Sequence, residues 1–363
     1  MSSPCLIGLE INQIPTPALL VDIDALLRNI EQMRRDMANA RTNVRPHGKT
    51  HKAPAIAHLQ IEAGAIGLCC ATIGEAEVMA SAGINNILVA NEMVSEVAIR
   101  RTVNLARHTK IILPVDDVKN IQELSAAAQQ YGTKLDILVD LDVGMGRCGA
   151  RTIEQAVELA KAVRKCPSLR LRGLFGYEGH VQFIPDREER TKKGQAANQF
   201  LADSAKMLCG LGFNMEIVSG AGTGTYDIAG KFPGITEIEP GSYVFMDATY
   251  NKLGLPFEQA LTVFTTVVSR PTDDVVVLDA GLKGISPERF NPLVRGCESS
   301  VEIKKLAEEH AIGTIKSGVD PRPGDKMHLI PSHCCSTVNL YDQMYVTRKG
   351  VIEAIWPIAA RRA

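Results

Sequence analysis

The segment Arg45-Pro46-His47-Gly48-Lys49-Thr50-His51-Lys52 gathers two lysines, two histidines and an arginine just after a strand-like stretch at 42–44. A lysine fixed at a strand end, beside groups that lower its pKa, can form an imine with a carbonyl cofactor. The competing reading of these residues is a solvated basic loop. A second suspicious stretch is Ser219-Gly220-Ala221-Gly222-Thr223-Gly224-Thr225. Glycines there let backbone N–H groups approach a phosphate, and the threonine hydroxyls can donate as well. The spacing does not fit the dinucleotide fingerprint, which needs two residues between its second and third glycines. Gly241-Ser242-Tyr243 offers further donors, and two ordinary tight turns are the alternative.

His333-Cys334-Cys335 follows the strand-like run 327–330. If the backbone stays extended, His333 and Cys335 share one face, because side chains alternate with period two. An imidazole and a thiolate together are half of a zinc-type site, and the open positions would suit a catalytic metal. A buried histidine beside buried cysteines is the alternative. Arg147, within Gly144-Met145-Gly146-Arg147-Cys148-Gly149, can face an anion or stack on a ring, or sit in a surface ion pair. Tyr177 can pack on a cofactor ring, and His180 can carry a proton; each also has a purely structural reading. Asp247 and Asp279 are candidate orienting groups, or turn and cap residues. His310, after Glu308-Glu309, reads as a helix end.

The elements that must hold these residues alternate. Short apolar runs at 18–22, 43–45, 67–71, 86–90, 110–114, 135–141, 170–177 and 214–219 are separated by stretches of helical period, of which 23–37 and 153–163 are the cleanest. Strands alternating with helices over such short connections pair in parallel, and this number of units predicts a closed (β/α)8 barrel, with a doubly wound sheet as the alternative. In such a barrel the loops after the strands open on one face. Lys49, Asn91-Glu92, 142–147, 177–180 and 219–225 all fall there. After residue 251 the pattern becomes short strands with Pro and Gly turns, and only 300–309 reads as a helix. The expected division is therefore a barrel over 17–250 and a mainly β domain formed by 1–16 and 251–363.

Composition narrows the function classes. Lys plus Arg number 40 against 41 Asp plus Glu, so the chain has no basic field for nucleic acid. No apolar run reaches the ~20 residues of a membrane span. The first 15 residues do not read as a signal peptide, and a cytoplasmic setting is expected. The 9 cysteines form no C-x-x-C pairs and are read as mostly reduced.

Taken in chain order, the 45–52 loop, Gly146-Arg147-Cys148-Gly149, the Tyr177 segment, 220–224, Gly241-Ser242-Tyr243 with Phe245-Met246-Asp247, Asp279-Ala280-Gly281-Leu282-Lys283 and the His333/Cys335 pair resemble the D-threonine aldolase family. That family includes D-3-hydroxyaspartate aldolases and is related to metal-activated D-serine dehydratases. The resemblance spans nearly the whole chain. It implies an alanine-racemase-type barrel holding pyridoxal 5'-phosphate, a β domain, a homodimer and a small amino-acid substrate. By position, Lys49 would carry the cofactor. Gly222, Thr223 and Tyr243, with Gly224, Gly241 and Ser242 beside them, would hold its phosphate, and Arg147 and Tyr177 would contact its ring. His333 and Cys335 would bind a divalent metal (zinc, manganese or magnesium). Two positions depart from the aldolase pattern. Cys335 stands where the aldolases carry an aspartate, as in the dehydratases, and Phe183 stands where they carry a histidine proposed as base; His180 is the candidate substitute. The implied reaction is cleavage of a D-β-hydroxy-α-amino acid to glycine and an aldehyde. The alternatives are dehydration of D-serine or D-threo-3-hydroxyaspartate to a 2-oxo acid and ammonia, and racemisation.

Overall fold

The computed structural model describes residues 6–363; residues 1–5 of the N-terminal arm lie outside it. The chain divides into two compact units. One contains 33–49, 54–241 and 362–363; the other contains, among the described residues, 6–32, 50–53 and 242–361.

The strand β1 (Ala18–Asp22) is followed by α1 (Ile23–Met37), the helix expected at 23–37. The strands β2 (Asn43–Val44), β3 (Leu68–Cys70), β4 (Ile87–Val89), β5 (Ile111–Val115), β6 (Leu135–Asp140), β7 (Leu169–Gly176), β8 (Ile217–Gly220) and β9 (Glu237–Ile238) form one 8-stranded parallel sheet in the order β2-β9-β8-β7-β6-β5-β4-β3. The two ends of that order meet. His47 and Cys69 form a parallel bridge, and the Cys69 N–H donates to the Pro46 carbonyl at 2.8 Å. The sheet is therefore a closed ring, as the alternation predicts, and its interior is filled by Cys69, Leu88, Ile112, Leu138, Phe175 and Ile217. Polar side chains start the helices that follow the strands. The helix α2 (Pro54–Glu62) lies between β2 and β3; Thr72, Ser95, Asp117, Thr152 and Asp186 each accept the N–H three residues on and lead into α3 (Ile73–Ser81), α4 (Glu96–Leu105), α5 (Val118–Gln130), α6 (Ile153–Arg164) and α7 (Arg187–Gly210).

One strand assignment is corrected. The run at 18–22, expected as the first barrel strand, pairs instead with strands of the other unit, antiparallel to β10 (Leu261–Thr272) and parallel to β16 (Gln343–Arg348). The eighth barrel strand is β9, only 2 residues long, too short to show a period.

The other unit is built on a 9-stranded sheet that includes β1 and β10. It adds β11 (Val275–Leu278), β12 (Leu293–Val294), β13 (Val301–Leu306), β14 (Ala311–Ile315), β15 (Lys326–Ile330), β16 and β17 (Val351–Pro357). The pairings β10–β11–β14–β13–β12–β15–β10 run in a circle, and β1, β16 and β17 extend from β10. The arm before β1 joins β17, with Glu10 bridged to Val351, and Ile14 packs with Phe264 and Ile352. The helix expected at 300–309 is the strand β13, and His310 ends the tight turn into β14 rather than a helix: the Ala307 N–H donates to its carbonyl at 2.8 Å. Alternating Val301 and Ile303 point inward, a period-two pattern masked by the charged run that follows. Asp279 is a structural clamp, accepting from the Thr265 hydroxyl at 2.7 Å and the Thr266 N–H at 2.8 Å.

Candidate active site

The 45–52 segment is not a solvated basic loop. Arg45 is 1% exposed and forms a two-pronged pair with Glu237, at 3.1 and 3.0 Å, while also donating to the Asn86 carbonyl at 2.8 Å. A Cβ at Gly67 would lie 2.0 Å from that carbonyl oxygen and 2.6 Å from the guanidinium, so this crossing requires glycine. His51 is buried and its Nδ1 accepts the Ala53 N–H at 3.1 Å. His47 Nδ1 lies 3.4 Å from the Lys49 N–H. With Arg45, His47 and His51 buried, Lys49 is the half-buried residue of the turn Gly48–Thr50, at the carboxyl end of a barrel strand.

The Lys49 amine lies 5.9 Å from the centroid of the Tyr177 ring, and the Arg147 guanidinium carbon lies 5.8 Å from it. Two cations therefore face one aromatic ring, which attracts them only modestly where water reaches. Arg147 is exposed, on a loop that Asp142 organises by accepting the N–H groups of Gly144 and Gly146, both at 3.0 Å. His180, also exposed, stacks its ring over that loop; a Cβ at Gly144 would be 3.1 Å from it. Lys49, Arg147, Tyr177 and His180 are thus at the strand-end face of the same unit, as the barrel reading expects.

Deeper in the barrel lies a group that pattern reading overlooks. Glu239, fully buried, accepts from the Ser219 hydroxyl at 2.6 Å and the Cys69 thiol at 3.1 Å. Burial pushes its carboxyl up to about 7, and burial raises the Cys69 thiol too, against the nearby charge of Lys49.

The glycine loop 219–225 is held from behind. Buried Glu178 accepts the Ala221 N–H at 3.0 Å and the Thr225 hydroxyl, and Gln182 accepts the Gly224 N–H at 2.8 Å. A Cβ at Gly224 would sit 2.1 Å from the Gln182 carbonyl oxygen, so this glycine answers to packing and its N–H is committed inside the protein. Gly222 is less tightly held, its N–H 3.4 Å from the Thr225 hydroxyl. Thr223 and Gly241 are both buried at this face of the unit. Neither Glu178 nor Gln182 belongs to a motif, and nothing short of their burial identifies them.

In the other unit, the backbone after β15 does not stay extended. His333 caps the short helix α8 (Cys334–Val338), and the turn, not strand alternation, brings His333, Cys334 and Cys335 together with ligand atoms within 4.8 Å. Asp247 is the organiser. Its Oδ2 lies 2.8 Å from His333 Nδ1 and accepts the Cys334 N–H at 3.0 Å, while Oδ1 accepts the N–H groups of Thr249 and Tyr250. A proton fixed on Nδ1 leaves the Nε2 lone pair to face a metal. The Cys335 thiol is held well below its ordinary range, first by a hydrogen bond from Cys334 and then by the His333 charge. Burial opposes ionisation of His333, but the Cys335 thiolate and Asp247 outweigh it and raise the imidazole. Such a proton-bridged imidazole and thiolate is the form that metal ligands take when a proton stands in for the cation. Cys335 Sγ is 3.3 Å from the Thr50 hydroxyl and 3.8 Å from the Ser242 hydroxyl. Ser242, one of the expected phosphate donors, thus also has its hydroxyl beside this thiol. Tyr243 is buried with its ring 5.5 Å from Phe257.

Comparison with known proteins agrees with this anatomy. The family described as "Alanine racemase, N-terminal domain" matches residues 21–249, and "Putative serine dehydratase domain" matches 260–347. A 3-hydroxy-D-aspartate aldolase of Paracoccus denitrificans (strain Pd 1222) is 38% identical over 99% of this chain and 95% of its own length. A D-threonine aldolase of Arthrobacter sp is 36% identical over 98% and 94%. A D-threo-3-hydroxyaspartate dehydratase of Delftia sp. (strain HT23) is 26% identical over 89% and 92%. The crystal structure of D-threonine aldolase from Filomicrobium marinum superposes with a TM-score of 0.96 at 35% identity, covering 100% of this chain and 99% of that one. The chain belongs to the D-threonine aldolase and 3-hydroxy-D-aspartate aldolase family, pyridoxal-phosphate-dependent lyases of the alanine racemase fold.

Proposed function

We propose that this protein cleaves D-configured β-hydroxy-α-amino acids between Cα and Cβ, releasing glycine and an aldehyde, with pyridoxal 5'-phosphate carried by Lys49 and a divalent cation held by His333 and Cys335. The observation that carries the reading is a built donor pair in a chain of aldolase kinship: Asp247 fixes the proton on His333 Nδ1 at 2.8 Å beside a thiol disposed to ionise. An imidazole nitrogen and a thiolate suit zinc above all; manganese and magnesium are the harder alternatives. The cofactor's anchor also fits, since Lys49 stands half-buried over Tyr177 while Arg45, His47 and His51 are buried.

When bound, the cofactor supplies an electron sink for the breaking bond and the cation lowers the pKa of a hydroxyl. This chain's residues do the remainder. Lys49 would hold the cofactor and is the amine placed to take a proton from the substrate's amine. Arg147 keeps a positive charge against the Tyr177 ring, where the cofactor ring would pack. Gly222, Thr223, Gly241 and Tyr243 are the phosphate's proposed contacts, with Glu178 and Gln182 stiffening the loop behind them. His180 is the proposed acceptor of the β-hydroxyl proton, because Phe183 cannot take one.

Two observations favour a second reading, dehydration to a 2-oxo acid and ammonia: Cys335 at the second metal position and Phe183 six residues after Tyr177. Product analysis of the metal- and cofactor-loaded protein separates them. The proposal expects glycine and an aldehyde from D-threonine or D-3-hydroxyaspartate; ammonia and a 2-oxo acid without glycine would overturn it.

A further inference from the structure

Four strands meet where the barrel closes, in the order β3, β2, β9, β8. The middle two, β2 and β9, are only 2 residues long each. Beyond them the backbone ties are few: the His47 N–H donates to the Pro240 carbonyl at 3.1 Å, and the Glu239 N–H donates to the Gly220 carbonyl at 3.0 Å. Lys49 follows His47 by two residues, and the glycine loop continues directly from β8. The two features assigned to the cofactor therefore emerge at the barrel's shortest strands, one after β2 and the other after the strand paired with β9.

Glu239 spans this seam. One carboxyl oxygen accepts from the Ser219 hydroxyl at 2.6 Å and the other accepts from the Cys69 thiol at 3.1 Å. Ser219 lies in β8 and Cys69 in β3, so a single side chain ties the strands on either side of the β2–β9 pair. Ser219 and Cys69 are both 0% exposed and Glu239 is 5% exposed. Buried hydrogen bonds of this kind specify geometry, because a partner lost there is costly to replace. The Lys49 turn rests on the same strand as Cys69: a Cβ at Gly48 would lie 2.9 Å from the Leu68 side chain and 3.4 Å from the Cys69 carbonyl oxygen. His47, Cys69 and Glu239 bring possible ligand atoms within 4.8 Å of one another, the residue types of a metal site. Both carboxyl oxygens, however, are already engaged by protein hydrogens. The reaction described above gives Glu239 no part.

We propose that Glu239 is a positioning residue for the cofactor: by holding Cys69 and Ser219 together it fixes the distance between the Lys49 turn and the glycine loop, so that one molecule reaches both. The proposal rests on the assignment of the aldehyde to Lys49 and of the phosphate to the glycine loop, and it does not depend on which bond the enzyme breaks. A ligand with two ends gains over its halves to the extent that the two sites are held at its own span. Loosening the tie therefore weakens the two-ended ligand and spares the halves.

The test compares three probes on the apo-protein: pyridoxal 5'-phosphate, pyridoxal, which lacks the phosphate, and inorganic phosphate as a competitor. The two aldehydes are followed by their visible absorbance on binding. Glu239→Ala, Ser219→Ala and Cys69→Ala are each expected to weaken pyridoxal phosphate about tenfold, while pyridoxal and inorganic phosphate stay within about twofold of wild type. Because the two contacts serve one tie, Ser219→Ala added to Glu239→Ala should cost less than about twofold more. Glu239→Gln should recover part of the loss, since its amide oxygen still accepts from the Ser219 hydroxyl. Ser219→Ala removes a single oxygen atom and reads the tie even where the barrel does not tolerate Glu239→Ala. Parallel losses of pyridoxal phosphate and pyridoxal, an equal loss of inorganic phosphate, or unchanged binding of pyridoxal phosphate would overturn the proposal. So would a divalent ion that stays with the His333→Ala protein and is lost when Glu239→Gln is added, since the cluster would then be a metal site. A wild-type protein that gains no visible absorbance with either aldehyde would overturn the assignment of Lys49, and this proposal with it; probe effects that fail to separate in a yellow wild type would overturn the proposal alone.

Discussion

At the residue scale, Lys49 and Glu239 make opposite demands on the barrel interior. Lys49 must present its amine, and Lys49→Ala is expected to abolish the cofactor's visible absorbance and to cut activity at least about 1000-fold. A yellow, active Lys49→Ala protein would remove this residue from the account. Glu239 is held neutral by burial, its carboxyl raised from 4.5 to about 7. A folded-state value above the unfolded one means that the native state binds the proton more tightly. Stability from this group is therefore full below about 4.5, falls as pH rises to about 7, and is flat beyond, a loss of roughly 3 kcal/mol at most. Glu239→Gln should erase that slope, so that the stability difference between wild type and variant changes between pH 4.5 and pH 7 in urea titrations; a constant difference would contradict the burial argument. Lys49 is legible in sequence because lysine after a strand is unusual. Glu239 is not legible, because its raised carboxyl comes from burial, and the partners that surround it, Ser219 and Cys69, lie 20 and 170 residues away.

At the scale of elements, the barrel's closing seam and the turn after β15 decide what is positioned. The Arg45–Glu237 pair locks β2 to β9 with both side chains almost fully buried. Removing one partner strands a charge, so Arg45→Met should cost roughly 3–5 kcal/mol, and Arg45→Met with Glu237→Leu should recover most of it. Chemical denaturation of the three proteins checks this; equal costs for single and double variants would show that the pair is not what secures the seam. In the other unit, Asp247→Ala should weaken metal binding about 10–100-fold by freeing the His333 ring to rotate, measured by competition with a chromophoric chelator. Unchanged affinity would show that Asp247 does not orient the ligand. The helical and strand periods made α1 and α6 readable nearly to the residue, and the barrel with them. They failed where an element is defined by its partner. The run at 18–22 looks like any βα strand, yet its hydrogen bonds go to β10 and β16, and β9 is too short to carry a pattern. His333 and Cys335 converge as expected, but through a helical turn rather than an extended strand.

At the scale of the whole molecule, the family explains why one chain carries both a barrel with a strand-end lysine and a β unit with an imidazole–thiolate pair. Among the described residues no helix is long and apolar enough to cross a membrane. The family reading implies a homodimer, for which light scattering should give twice the 39.3 kDa chain mass. The full-length kinship to aldolases at 36–38% identity was foreshadowed by spaced motifs that no single segment could have carried. What remained ambiguous in those motifs was the fate of the bound substrate, because Cys335 and Phe183 lean one way and the rest of the chain the other. That ambiguity is chemical and is resolved by products. The most direct measurement is the product pair formed from D-threonine by the cofactor- and metal-loaded protein, with D-3-hydroxyaspartate and D-serine in parallel. Glycine and acetaldehyde in equal amounts, lost on chelation and restored by a divalent cation, is the result expected. Ammonia and a 2-oxo acid in their place would contradict the proposed bond cleavage and make Cys335 the residue that sets the reaction.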